Sequence, residues 1–132
     1  MPIHLEWDDA ECRILRLNFD GGWTWDDFYA ATRERDRLLN SQPHRVDLLA
    51  DFSSSGKLPA GSPISSARSV LASPPPNLGM LVIVSNSLFI DVLVNTFQRV
   101  FAQLIGLKIT VVDSVAAARS EIAAARRHVS GV

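Results

Sequence analysis

The chain has 132 residues, 47% of them apolar, a formal net charge of -1 and one cysteine. Such a length fits a single domain, residues 1–132, that buries roughly two-thirds of its unfolded surface without staples. Arginines spread along a nearly neutral chain exclude a nucleic-acid binder; the absence of ~18 consecutive apolar residues excludes membrane insertion; and lone Cys12 with three scattered histidines suggests neither disulfide nor metal site.

His4 and Glu6 interrupt the apolar residues of Met1 to Trp7, so no signal peptide is expected and a cytoplasmic location follows. In the same stretch Ile3, Leu5 and Trp7 alternate with polar residues, and the alternation resumes at Leu15, Leu17 and Phe19 after Asp8 to Glu11. This predicts a hairpin with Arg16 and Asn18 on its wet side and Cys12 as a small strand residue. Asp20-Gly21-Gly22 ends it. Thr24 with Asp27 three residues on predicts a capped helix from Trp25 to about Leu39, with Arg33 to Arg37 as a solvated charge run.

Val46 to Ala50 reads as a buried strand and Ser53 to Gly61 as loop. Ser62-Pro63 starts a second helix carrying Ile64, Ala67, Val70 and Leu71, which Pro74-Pro75-Pro76 halts. The unbroken apolar run Met80 to Val84 predicts the central strand, covered on both faces. From Leu88 to Ile105 the stripe Ile90, Val94, Phe97, Phe101 and Leu104 predicts a core helix stopped by Gly106. Leu88, Phe89 and Val92 widen its apolar arc beyond one face and are the candidate interface residues. Ile109 to Val112 is the last strand. Val115, Ala118, Ile122, Ala125 and Val129 mark the last helix, where Arg126 and Arg127 favour the dipole. The order predicts an α/β fold: a mostly parallel five-stranded sheet with an N-terminal antiparallel hairpin and four helices.

That order, with Val46 to Ser53 as a strand running into an Asp-x-Ser turn, resembles the STAS and SpoIIAA-like superfamily, which includes anti-sigma-factor antagonists and lipid-binding relatives. The Gly-Trp-Thr-Trp-Asp-Asp stretch Gly22 to Asp27, and Pro-Asn-Leu-Gly at Pro76 to Gly79, look like an uncharacterised bacterial group within it. The resemblance covers nearly the whole chain and implies a SpoIIAA-like fold. Phosphorylatable antagonists carry Asp-Ser-Ser-Gly at the start of the second helix. Here Ser54-Ser55-Gly56 falls in the loop before it, without the acidic residue, so the phosphorylation site is not carried over.

Asp8-Asp9, Asp51, Ser85 and Lys108 stand in the order of a phosphoacceptor receiver domain, but a receiver needs a helix directly after its acidic pair, where Glu11 to Phe19 reads as strand. Gly56-Lys57 lacks the glycine five residues earlier that a P-loop requires, since that position is Asp51. No nucleophile elbow, H-E-x-x-H pair or dinucleotide fingerprint occurs, and His4, His44 and His128 read as surface residues. No catalytic residue, metal or cofactor is expected.

Ligands of open α/β sheets collect beyond the strand carboxyl ends. This makes Asp51, Ser53, Ser85 and Asn86 the candidate ligand-binding residues, although helix and turn capping accounts for the same residue types. Trp23, Trp25, Phe28 and Tyr29 read as core and hinge packing, or as the frame of a pocket or a partner surface. The expected function is a non-catalytic STAS-like module acting on an unknown protein partner or as a homodimer. The alternative is a binding protein for a small apolar or acyl ligand, with its pocket at the strand carboxyl ends. A deep apolar cavity favours the second, a closed core the first.

Overall fold

A computed structural model describes residues 2–61, 63–71, 74–101 and 108–130. Strands β1 (Ile3–Trp7) and β2 (Ile14–Asp20) form the predicted hairpin, and α1 (Trp25–Asn40), β3 (Val46–Ser54), α2 (Pro63–Leu71), β4 (Leu78–Val84), α3 (Leu88–Phe101), β5 (Ile109–Val112) and α4 (Val115–Ser130) follow. The sheet runs β1-β2-β3-β4-β5, antiparallel between β1 and β2 and parallel thereafter. The predicted α/β layout is therefore the one observed. The cap at Ser62, the residues from Leu104 to Gly106, and the side chains of Ile64, Val70, Leu71, Phe101, His128 and Val129 lie outside the described residues.

Sequential strand order has a geometric consequence. Right-handed crossovers that each advance one strand in the same direction place their helices on one face. Accordingly α1, α2 and α3 form one layer, while α4, which follows the last strand and is free of that constraint, packs on β3, β4 and β5 from the other side. Strand alternation divides the core between the faces. Leu15, Leu17, Phe19, Leu48 and Ala50 join Trp23, Ala31 and Leu39 in the α1 layer. Leu49, Met80, Val82 and Val84 pack with Ala118 and Ile122 of α4.

Four expectations are corrected. The central strand is β3, between β2 and β4; Met80 to Val84 lies in β4, one strand in from the β5 edge. The reasoning from apolar continuity holds, since β4 is covered on both faces, but any interior strand meets that condition. Second, β3 continues through Phe52 to Ser54, because pairing with β2 extends to Asp20 beyond an irregularity. Third, Cys12 sits in the β1–β2 turn at φ 57°, with its N–H donating to the Asp9 carbonyl at 3.2 Å. Fourth, Arg35 is 4% exposed rather than solvated. It shares the i, i+4, i+8 stripe of Ala31 and Leu39, so helical geometry turns it inward.

Candidate functional site

Among the described residues, the space between the sheet and the three-helix layer is not filled. A cavity of about 160 Å³ lies there, bounded by Leu17, Phe19, Leu48, Ala50, Leu81 and Ile83 from the strands and by Trp23, Trp25, Phe28, Ala67, Leu93 and Phe97 opposite. Ala50 on β3 and Ala67 on α2 leave room that larger side chains would occupy. The aromatic frame keeps it open. Phe19 stacks on Phe52 at 4.2 Å, and Trp23 meets Phe19 and Trp25 edge-on, each at 5.1 Å between centroids. Such edge and stacked pairs add to the energy of burial and fix ring orientation.

The local sequence sets this frame. The Thr24 hydroxyl accepts from Asp27 N–H at 3.1 Å, and the Asp27 carboxylate accepts from Thr24 N–H at 2.9 Å, the expected capping box. With the start of α1 fixed, the indole of Trp23 donates to Ser55 Oγ at 2.7 Å and that of Trp25 to the Ala60 carbonyl at 2.8 Å. Two tryptophans thus hold the β3–α2 loop over the cavity. Gly61 faces the Trp25 ring at φ +121°, where a Cβ would lie 3.1 Å from the indole nitrogen. Tyr29 hydrogen-bonds Ser66 at 3.2 Å and ties α1 to α2.

Thr32 and Arg35 are the polar side chains of the inner lining. Thr32 donates to the Phe28 carbonyl at 2.9 Å, and the Arg35 guanidinium donates to Asp36 Oδ1 at 2.7 and 2.9 Å. Both are engaged within α1. At the carboxyl ends of β3 and β4 the cavity meets a second, wider space of about 480 Å³, with Phe52, Leu58 and Ile90 common to both linings. Ser55, Lys57, Ser85 and Ser87 bring polar groups to this vestibule, and Phe89 borders it.

The four candidate ligand residues are not brought together. Ser85 lines the vestibule, whereas Asn86 and Ser53 are exposed. Asp51 points to the other face, where Oδ1 accepts from the Ser53 N–H and hydroxyl at 3.0 and 2.6 Å and Oδ2 from Arg16 at 3.0 Å. Burial raises the Asp51 pKa, but the Ser53 and Arg16 hydrogen bonds outweigh it and hold the carboxyl below its ordinary value. Asp8 is also held low, chiefly by its hydrogen bonds from Arg119 at 2.8 and 2.9 Å. Arg16 lies between the two carboxylates, 3.9 Å from Asp8. Asp8 and Asp51 thus share one neighbourhood, with the Arg16 guanidinium between them. Among the described residues no three His, Cys, Asp or Glu side chains form a metal-holding group.

Nothing in the strand pattern marks out Asp47. Fully buried among apolar strand residues, its Oδ1 accepts from Met80 N–H at 2.8 Å and from Arg45 at 3.0 Å, and its Oδ2 from Arg126 of α4 at 2.9 Å. The Pro-Asn-Leu-Gly stretch serves the same region. Asn77 donates to the carbonyls of Leu39 at 2.8 Å and His44 at 3.0 Å, and a Cβ on Gly79 would overlap the Asp47 carboxylate and the Arg45 guanidinium. These residues join β3, β4, α1 and α4 and lie away from the cavity.

Leu88, Phe89 and Val92 are 77%, 58% and 55% exposed, along one edge of α3 beside the vestibule. Among the described residues no helix is long and apolar enough to cross a membrane. Neither protein-family models nor curated proteins provide a match to this chain.

Proposed function

We propose that this protein binds a small apolar or acyl ligand between its sheet and the α1–α3 layer. The observation that carries this reading is the apolar cavity of about 160 Å³. Fully enclosed, a void of that size would correspond to roughly 4 kcal/mol of lost stability, against a total of about 5 to 15 for a domain. Larger side chains at Ala50 or Ala67 would recover much of it, so an occupant is the economical account of the space. The volume is close to the roughly 150 Å³ of an engineered apolar cavity that accepts benzene, which sets the ligand's apolar part at a ring or a short acyl chain. Binding rather than catalysis fits the inner lining, whose Thr32 and Arg35 are already hydrogen-bonded within α1.

Titration with toluene or octan-1-ol should change the emission of Trp23 and Trp25 saturably and raise the thermal midpoint in proportion to occupancy. Ala67→Phe, which fills the space from α2, should remove both responses in a protein that remains folded. An equal response in that variant would place the ligand elsewhere.

The exposed edge of α3 favours a second reading, a STAS-like module that acts through protein contact. Leu88, Phe89 and Val92 present apolar surface to solvent, and a self-complementary two-fold contact is the commonest arrangement when such surface is covered by another copy. The order of strands and helices, on which the resemblance to the STAS and SpoIIAA-like superfamily rests together with the Val46–Ser53, Gly22–Asp27 and Pro76–Gly79 stretches, supports this reading.

A further inference from the structure

The vestibule differs chemically from the cavity it leads to. Its polar side chains are three serines and a lysine: Ser55, Ser85, Ser87 and Lys57. A serine hydroxyl can donate one hydrogen bond and accept two. Each of these oxygens already accepts from a protein N–H: Ser55 Oγ from Trp23 Nε1 at 2.7 Å, Ser85 Oγ from Ser87 N at 3.0 Å, and Ser87 Oγ from Ile90 N at 3.4 Å. Among the described residues none of the three hydroxyl protons has an acceptor, and no acidic side chain pairs with Lys57. Ser55 and Ser85 are only 3% and 7% exposed, so the vestibule is the space their protons can reach. Each serine therefore keeps its proton and one lone pair for a ligand, and Lys57 adds a positive charge.

We infer that the ligand is a small apolar carboxylic acid bound as its carboxylate, an assignment that rests on reading the inner cavity as a binding site. The apolar body lies among Trp23, Phe28 and Phe52, and the carboxylate sits in the vestibule, accepting from Ser55 and Ser85 and neutralised by Lys57. An ionised carboxylate offers only acceptors, which suits three hydroxyl protons and an ammonium group without an acidic partner among the described residues. An alcohol or primary amide could hydrogen-bond the same serines but would leave the lysine charge unmatched. Charge-assisted hydrogen bonds are also the stronger kind. The junction at Phe52, Leu58 and Ile90 places the change from apolar to polar lining between the two spaces, as an acid with a short chain requires.

Calorimetric titration of octanoate and of octan-1-ol into wild-type protein and Lys57→Met separates the two levels of the argument. Lys57 is exposed, so the variant keeps the fold. Octanoate should bind wild type about tenfold more tightly than the alcohol, the effect of one charge-assisted hydrogen bond. In Lys57→Met that preference should disappear while octan-1-ol affinity is unchanged. Equal affinities in wild type, or a preference that survives in Lys57→Met, would overturn the carboxylate site and leave the cavity reading standing. Binding of neither compound would overturn the cavity reading and the carboxylate site with it.

Discussion

Asp47 is the residue whose environment is least like its sequence context. It falls inside the run Val46 to Ala50, where a carboxylate has no polar neighbour in the strand, yet three donors from β4, α4 and Arg45 converge on it. Removing one partner of a buried charged network costs about 3 to 5 kcal/mol, and the partly exposed Arg45 and Arg126 can turn to water, which moderates that figure. Asp47→Ala should destabilise by roughly 3 kcal/mol in chemical denaturation. Gly79→Ala should cost a similar amount in wild type, because its Cβ needs the space of the Asp47 carboxylate. In the Asp47→Ala background it should cost far less, the non-additivity expected of residues in contact. Additive losses would show that the Gly79 requirement lies in the backbone instead.

Among the elements, β4 distinguishes the packed face from the face that borders the cavity. Met80 is buried against α4, whereas Ile83 is half-buried and lines the cavity. Met80→Ala should then cost about 2 to 5 kcal/mol, the usual range for a large core side chain. Ile83→Ala should fall below that range, since a side chain beside empty space has fewer partners to lose. It should also enlarge the site and improve binding of bulkier ligands. A loss from Ile83→Ala equal to that from Met80→Ala would indicate a filled core. The nine elements were legible because their signals are local: period-2 alternation in β1 and β2, the Thr24–Asp27 box, and apolar stripes in α3 and α4. The inward turn of Arg35 was not, because charge suggested solvent while helical phase placed the residue beside Ala31 and Leu39.

For the molecule as a whole, the open question of assembly rests on Leu88, Phe89 and Val92. If a second copy covers them, wild-type protein should sediment as a dimer at micromolar concentration, and Phe89→Asp and Val92→Asp should release folded monomer. A wild-type monomer would turn attention to the vestibule, which Phe89 borders, as the reason for an apolar rim. Local sequence pattern set out the elements, their order and hence a parallel sheet behind a hairpin, because periodicity, caps and breakers act within a few residues along the chain. It also named Leu88, Phe89 and Val92 as surplus apolar surface and Ser85 as a residue near a strand end. Folding supplies the rest: Trp23 and Trp25 pin the β3–α2 loop, the small side chains of Ala50 and Ala67 border the cavity, and Asp51 turns away from that space. Each depends on which face of the sheet a residue occupies and what the crossovers bring opposite it. The grouping of Ser55, Ser85 and Lys57 around the vestibule is of the same kind: it joins residues as far as thirty positions apart through the pairing of β3 with β4.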